Sequence, residues 1–271
     1  MKSLEPALSN ELANLLARLF IQRTDARAIA RFDANGEAMY MPELEYKDGP
    51  RKKWDRAALL DHLNGDKVYG HYLLDANDDC KLLAFDVDLK QSGTVFVDDS
   101  TDKRLEVADL RAYWRDRANL GRRYLKLSMN LVAQALVDQL DSLEIPWAVA
   151  YSGNKGIHVY GFTGKMNAAL IREAAKIAMD GLTDWKPSKG DNFYTFQAEE
   201  DWMLFNNFTI EVFPKQDSLA GKDLGNLMRL PLGKNLKSKD HPFFMDITGD
   251  PYQLTPTDAI ATLTAVAERM G

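Results

Sequence analysis

The residues best equipped for chemistry lie in Leu82-Leu83-Ala84-Phe85-Asp86-Val87-Asp88, an apolar run ending in two aspartates spaced i, i+2. Read as a strand, it puts Asp86 and Asp88 on one face, while Phe85, Val87 and Leu89 point into a core. Ala84 leaves the carboxylate face uncrowded. Two ionised carboxylates this close repel each other. A hard divalent cation removes that repulsion, and Mg²⁺ prefers oxygen ligands. Taken alone, the pair fits equally a strand end entering a polar turn with both acids solvated, because short motifs match often by accident.

Three other stretches add chemistry. In Tyr151-Ser152-Gly153-Asn154-Lys155-Gly156-Ile157-His158-Val159-Tyr160 a strand ends, a glycine-bearing turn follows and a new strand begins. Gly153 and Gly156 let backbone N–H groups approach an anion, and Ser152, Lys155 and His158 add a hydroxyl, an ammonium and an imidazole. The set suits a triphosphate, though it also reads as a plain hairpin turn, and it is not a P-loop, since GxxxxGK[ST] is absent. In Phe208 to Gln216, Phe208, Ile210 and Val212 alternate with Thr209, Glu211 and Phe213. Glu211 thus sits on the less apolar face of a largely buried strand, where a carboxylate needs either a basic partner or a metal. Lys215 follows at the proline turn. In Leu224 to Pro231, Arg229 is the only charge in an apolar segment, suited to an ion pair or to bidentate phosphate contact. Lys234, Lys237 and Lys239 follow. They form one candidate surface for a nucleic-acid backbone, with Arg51, Lys52 and Lys53 second, and Tyr72 or Tyr160 as base-stacking candidates. Both lysine groups also read as solvated loop charges.

The positioning elements are legible from periodicity. Apolar residues at helical spacing predict a helix over 8–24, a helix capped by Asp55 and ending near Asn64-Gly65, a long amphipathic helix from Tyr124 to Leu143 after a break near Gly121, one from about Asn167 to Leu182, and a closing helix from Thr257 to Met270. Strands are expected at 28–32, 38–41, 68–74, 81–89, 147–152, 157–162 and 208–213, with a short extended piece at 228–230. The pair 68–74 and 81–89 reads as a hairpin, and 42–54, 91–103 and 184–192 as loops. Strands and helices mixed with hairpins favour α+β over a doubly wound parallel sheet. At 271 residues, 45% hydrophobic and 27% charged, the chain has the composition of a globular domain. No apolar run reaches the roughly 20 residues a membrane span needs. Met1-Lys2-Ser3-Leu4-Glu5 opens without an apolar signal core, so we expect a cytoplasmic location. The single cysteine, Cys80, excludes an internal disulfide and a CxxC zinc knuckle. A net charge of −6 argues against coating duplex DNA but leaves room for a local basic surface.

The order of motifs resembles the archaeo-eukaryotic primase superfamily, the primase-polymerases, and within it the primase module of TOTE conflict systems and the CRISPR-associated prim-pols. The strings that carry this are His62-Leu63-Asn64-Gly65 with Tyr69-Gly70-His71-Tyr72-Leu73-Leu74, Leu82 to Asp88, Ser152 to His158, Glu211-Val212-Phe213-Pro214-Lys215-Gln216, and Gly225-Asn226-Leu227-Met228-Arg229-Leu230-Pro231. The resemblance implies an α+β catalytic core in which an RRM-like sheet packs against a second α/β module, with the active site in the cleft between them. It implies one catalytic domain over 1–271, with a motif-bearing core at about 55–240, an N-terminal helix and strands at 1–54, and a C-terminal helix at 255–271. Asp86, Asp88 and Glu211 match the catalytic, metal-binding acids, expected to hold two Mg²⁺ or Mn²⁺ ions. Ser152, Gly153, Lys155, Gly156 and His158 match the motif that contacts the incoming triphosphate, with Lys215 and Arg229 beside it. The implied activity is template-directed DNA primase or polymerase chemistry, with dNTPs or NTPs, single-stranded DNA template and primer as partners and further replication, repair or defence-system modules in view. A metal-dependent phosphohydrolase or nuclease, and a catalytically silent nucleic-acid-binding module of the same fold, are the alternatives. Many relatives carry a cysteine-based zinc element. With Cys80 alone no zinc is expected, and priming is expected to be weaker than extension.

Overall fold

The computed structural model describes residues 5–98, 102–249 and 251–270. Along the chain run α1 (Pro6–Phe20), β1 (Ala28–Phe32), β2 (Ala38–Pro42), α2 (Arg56–Asn64), β3 (Tyr69–Tyr72) and β4 (Asp79–Leu89). Next come β5 (Gly93–Asp98), β6 (Lys103–Val107), α3 (Leu110–Arg115), α4 (Leu120–Ser142), β7 (Trp147–Tyr151), β8 (Gly156–Asn167) and α5 (Ala168–Asp180). The chain closes with β9 (Trp185–Pro187), β10 (Phe193–Phe196), β11 (Phe208–Phe213), β12 (Leu227–Arg229), β13 (Phe243–Asp246), β14 (Tyr252–Gln253) and α6 (Pro256–Arg269). The result is mixed α/β. An eight-stranded sheet has the order β14-β13-β7-β8-β4-β11-β10-β9, a four-stranded sheet has the order β12-β3-β1-β2, and β5 and β6 form a hairpin of their own.

β4 lies inside the large sheet, antiparallel to β8 on one side and β11 on the other. Its residues Leu83, Phe85, Val87 and Leu89 are fully buried. On that face α4 and α5 cover the sheet, and Gly161 of β8 sits where a Cβ would come within 3.0 Å of Leu140 on α4. On the opposite face Phe20 of α1 meets Tyr160 and Phe162 edge-on, with ring centres at 5.0 and 5.3 Å. That helix covers the apolar end of the face, beside Leu82, Ala84, Tyr160 and Phe162. Asp86, Asp88 and His158, at the other end, are left facing the small sheet.

Local signals behave as their chemistry requires. The Asp55 carboxylate accepts from Ala58 N–H at 2.7 Å and starts α2; Gly65, at φ 79°, ends it. The predicted hairpin of 68–74 and 81–89 does not form. Asp75 organises the expected turn by accepting from the N–H groups of Asn77 and Asp79, but β3 then pairs with β1 and β12 while β4 joins the large sheet. Both edges of β4 are taken by β8 and β11, and sequence adjacency loses to that longer pairing. The predicted loop 91–103 is also corrected. Thr94, Val95, Phe96 and Val97 favour a strand, and Val95 and Phe96 are buried in the β5–β6 hairpin beside α4. Residues 99–101 of that stretch lie outside the described residues. Within 184–192, also predicted as loop, β9 forms an edge strand because Trp185 is buried beside Phe196.

Two strings widely separated in sequence are locked together by one imidazole. His62 Nδ1 accepts from Tyr69 N–H at 3.0 Å, so its Nε2–H donates to Leu230 O at 3.1 Å and Pro231 O at 3.0 Å. A Cβ on Gly233 would fall 2.0 Å from the His62 ring. The contact fixes the end of β12 and therefore the position of Arg229. Gly233→Ala is expected to lower stability by about 1–3 kcal/mol through overpacking, read as a lower Tm. Burial holds His62 neutral, its pKa pushed down to about 4, and that of His71 in β3 to about 3. Both values lie below the ordinary 6.5, so the unfolded chain binds more protons between pH 6.5 and 4, and folding stability is lost as pH falls through that window. At pH 4.5 the loss should approach roughly 2–3 kcal/mol per histidine. Denaturant titrations at pH 7.5 and 4.5 measure it; equal stabilities would contradict both assignments.

Candidate active site

Strand register brings the predicted site together. Glu211 of β11 pairs with Asp86 of β4, and Asp86 pairs with His158 of β8. The three residues form one row across three adjacent strands and share a face. Two residues along, Asp88 lies between Thr209 and Gly156. Gly156 has a tighter reason to be glycine than approach to an anion: a Cβ there would stand 2.4 Å from Asp88 Oδ1. Gly153, at φ 83°, makes the turn.

Two of the three carboxylates face an ammonium and the third an imidazole. Asp88 meets Lys155 Nζ at 3.0 Å, and that ammonium also donates to Leu89 O at 2.5 Å. Glu211 meets Lys215 Nζ at 2.6 Å. Asp86 Oδ1 is buried without a well-formed hydrogen bond; its nearest partner is His158 Nε2 at 3.4 Å. Tyr160 Oη lies 2.8 Å from His158 Nδ1. When the ring proton is on Nε2, the Tyr160 hydroxyl donates to Nδ1 and Nε2–H faces Asp86. Burial alone would raise the Asp86 pKa, but His158, Arg229 and Lys155 outweigh it and hold the group below the usual carboxylate range. Asp88 goes the other way, pushed up by burial and then by the charge of Asp86.

A cleft of about 310 Å³ opens over this row, between the two sheets. The large sheet contributes Asp86, Asp88 and His158, and the β7–β8 turn contributes Ser152, Asn154 and Lys155. From the small sheet come Ala30, Ala38, Tyr40 and the residues of β12. Arg229 reaches across and donates from Nη2 to Ser152 O, tying the two walls together. Asn235 and Tyr40 were not singled out in the sequence. Asn235 approaches Ser152 O, and burial pushes the Tyr40 hydroxyl up to about 12. Tyr40 lies in the apolar strand Ala38–Pro42 and Asn235 in a lysine-rich loop, and neither setting carries a separate signal.

The donor set fits a hard cation: oxygens from neighbouring register positions, one of them buried and unpartnered. As they stand, no three His, Cys, Asp or Glu side chains among the described residues converge closely enough to hold an ion, because Glu211 turns to Lys215. Tyr72 and Tyr160, expected as base-stacking residues, are buried at 3% and 0% exposure and cannot stack a base. Arg51 pairs with Asp223 and Lys52 with Glu43, so two of the three cations of that run are engaged within the protein, while Lys53 contributes its backbone oxygen to Arg27. Lys237 lines the cleft and pairs with Glu37, while Lys239 sits over the Phe32 ring at 5.1 Å.

The family profile described as "TOTE conflict system, Archaeo-Eukaryotic Primase domain" matches residues 11–269. The chain belongs to this family. The architecture of this primase domain accords with that membership, and enzymes of the superfamily are generally dependent on divalent metals. Membership supports a nucleotidyltransferase-type function. Among solved structures, the primase domain resembles the polymerase domain of Mycobacterium tuberculosis ligase D in complex with DNA, at 12% identity and a TM-score of 0.45, over 97% of this chain and 88% of that one. No curated protein is significantly similar in sequence. Cys80 of the primase domain is buried and donates from Sγ to Leu82 O at 3.1 Å. No helix among its described residues is long and apolar enough to cross a membrane.

Proposed function

We propose that this primase domain carries out template-directed nucleotidyl transfer, joining a 3′-hydroxyl to the α-phosphorus of an incoming nucleoside triphosphate with loss of pyrophosphate. The observation that supports it is the Glu211–Asp86–His158 row with Asp88 beside it: Asp86, Asp88 and His158 line a cleft walled by Lys155 and Arg229, and Glu211 stands next to Asp86 in the row, outside that lining. Asp86, Asp88 and Glu211 would hold two Mg²⁺ or Mn²⁺ ions, which when bound lower the pKa of the attacking hydroxyl and neutralise the leaving pyrophosphate. Lys155 and Arg229 supply positive charge along the β- and γ-phosphates, and Lys215 stands at the Glu211 end of the row. His158 donates from Nε2 to a phosphate oxygen, held at the right angle by the Tyr160 hydroxyl on Nδ1. Ser152 offers a hydroxyl, and the turn closed by Gly153 keeps the backbone near the phosphates. The test is incubation with single-stranded DNA, labelled nucleotides and Mg²⁺ or Mn²⁺, with and without a primer. Primer-dependent product complementary to the template is the expected result; degradation of the strand without incorporation would replace this reading with a nuclease.

A further inference from the structure

A second groove, of about 740 Å³, lies on the far side of the β7–β8 turn from the catalytic cleft. Its cationic wall comes from the corner between α3 and α4, through Arg117, Arg122 and Lys126. The stretch from Arg111 to Lys126 holds six basic residues against the single acid Asp116, in a chain whose net charge is −6. Arg111 pairs with Asp109, but Arg115, Arg117, Arg122, Arg123 and Lys126 form no ion pair among the described residues. Lys126 is pushed below the usual lysine range, first by burial and then by the charges of Arg122 and Arg117. Such crowding of like charge is relieved by a polyanion.

The floor of the groove is aromatic. Tyr151 of β7 and Phe243 of β13 are partners in register, with ring centres 5.1 Å apart at 37°. The Tyr151 hydroxyl donates to Asn154 O at 2.8 Å and Trp114 Nε1 donates to the same oxygen at 2.7 Å, which fixes the ring before anything binds. The facing wall carries Asp240, the one carboxylate among the lining residues. Asn154 itself lines the catalytic cleft, so the groove and the cleft meet at this turn.

We propose that this groove is a track for a single nucleic-acid strand, with Arg117, Arg122 and Lys126 along its phosphates and Tyr151 and Phe243 against its bases. A cationic edge with an aromatic floor is the chemistry that single strands require. Arg115 and Arg123 add two exposed cations on the same helical corner beyond those that line the groove, more than a lone nucleotide would use. The identification of that strand as the template rests on the polymerase reading; the binding itself does not.

The test uses the full chain, a labelled oligothymidylate and the double variant Arg117→Ser, Lys126→Ser. Both residues keep part of their side chains exposed and form no ion pair among the described residues; Arg122 is kept because its Nε–H donates to Trp114 O. The variant should bind the oligonucleotide at least about tenfold more weakly, with the slope of log K against log salt smaller by about 1.4, since each lost single-strand phosphate contact removes about 0.7. Phe243→Ala should lower affinity roughly tenfold with the slope unchanged. Binding of a non-hydrolysable triphosphate with Mn²⁺ should stay at the level of the parent chain. Equal oligonucleotide affinity and slope in the double variant, or loss of triphosphate binding in place of strand binding, overturns the proposal. Strand binding through these residues without nucleotide incorporation would sink the polymerase reading and leave the groove; incorporation with unchanged strand binding would do the reverse.

Discussion

Asp86→Ala and Asp88→Ala are each expected to reduce nucleotide incorporation to background while the protein stays folded. The two side chains share one face of a strand held on both sides, so their removal disturbs no ladder hydrogen bond. Neither takes part in core packing, which on β4 belongs to Phe85, Val87 and Leu89. Loss of an acid that holds a catalytic cation costs several kcal/mol of transition-state stabilisation, about a thousandfold or more in rate. The two variants should differ in stability. Asp88 is pushed up by burial and by the charge of Asp86, so Asp88→Ala relieves a penalty of the folded state and should leave stability unchanged or slightly higher. Asp86 is held below the usual range by His158, Arg229 and Lys155, so Asp86→Ala gives up a net favourable contact and should lower stability modestly at neutral pH. Primer extension and thermal melting on the same preparations separate the two effects. Near-parental activity in either variant would remove these acids from the chemistry.

The second large effect concerns the triphosphate. His158→Ala and Lys155→Ala should weaken nucleotide use by roughly 10- to 150-fold, the equivalent of about 1.5–3 kcal/mol for a charge-assisted phosphate contact. The two variants should differ in stability. His158→Ala leaves the buried Tyr160 hydroxyl without its partner, and an unsatisfied buried hydroxyl costs about 1–3 kcal/mol. Lys155→Ala takes one donor from the carbonyl of buried Leu89 and one partner from Asp88, but the lost ammonium is itself partly exposed and its place is open to solvent, so the penalty should be smaller. Oligonucleotide affinity should be nearly unchanged in both. Parallel loss of strand and nucleotide affinity would show that the turn is a nucleic-acid groove.

Much of the site was legible because it rests on parity. The alternation in Leu82 to Asp88, in Ile157 to Tyr160 and in Phe208 to Phe213 sorts acids and imidazole onto one face of each strand, and pairing in register then lines them up. Helix starts were legible where a side chain caps the backbone, as at Asp55. Pairing partners were not. Nothing in 68–74 announces that its neighbour is β1 and not β4, since that choice depends on β1, β8, β11 and β12, all distant in sequence. The β5–β6 hairpin was missed because glycine, serine and aspartate around it read as loop, while Val95 and Phe96 supplied the burial. That Tyr160 cannot stack a base has a physical cause: α1 covers that end of the sheet, and a helix laid over a face cannot be inferred from the strand beneath it.

The straight row Glu211–Asp86–His158 makes this candidate site sensitive above all to changes in chain length. Removing one residue between Leu82 and Asp86 would move every later side chain of β4 to the other face, sending both carboxylates into the apolar layer against α4 and α5 and bringing Val87 to the cleft. A deletion of that kind would abolish chemistry and core packing together. The same sheet holds a place where length is forgiven. Opposite Lys81, β8 carries Thr163-Gly164-Lys165 as a bulge, with Gly164 at φ 73° and open space around it. Gains and losses of residues among homologous chains should therefore gather at that bulge and stay out of the stretch that ends in the aspartates.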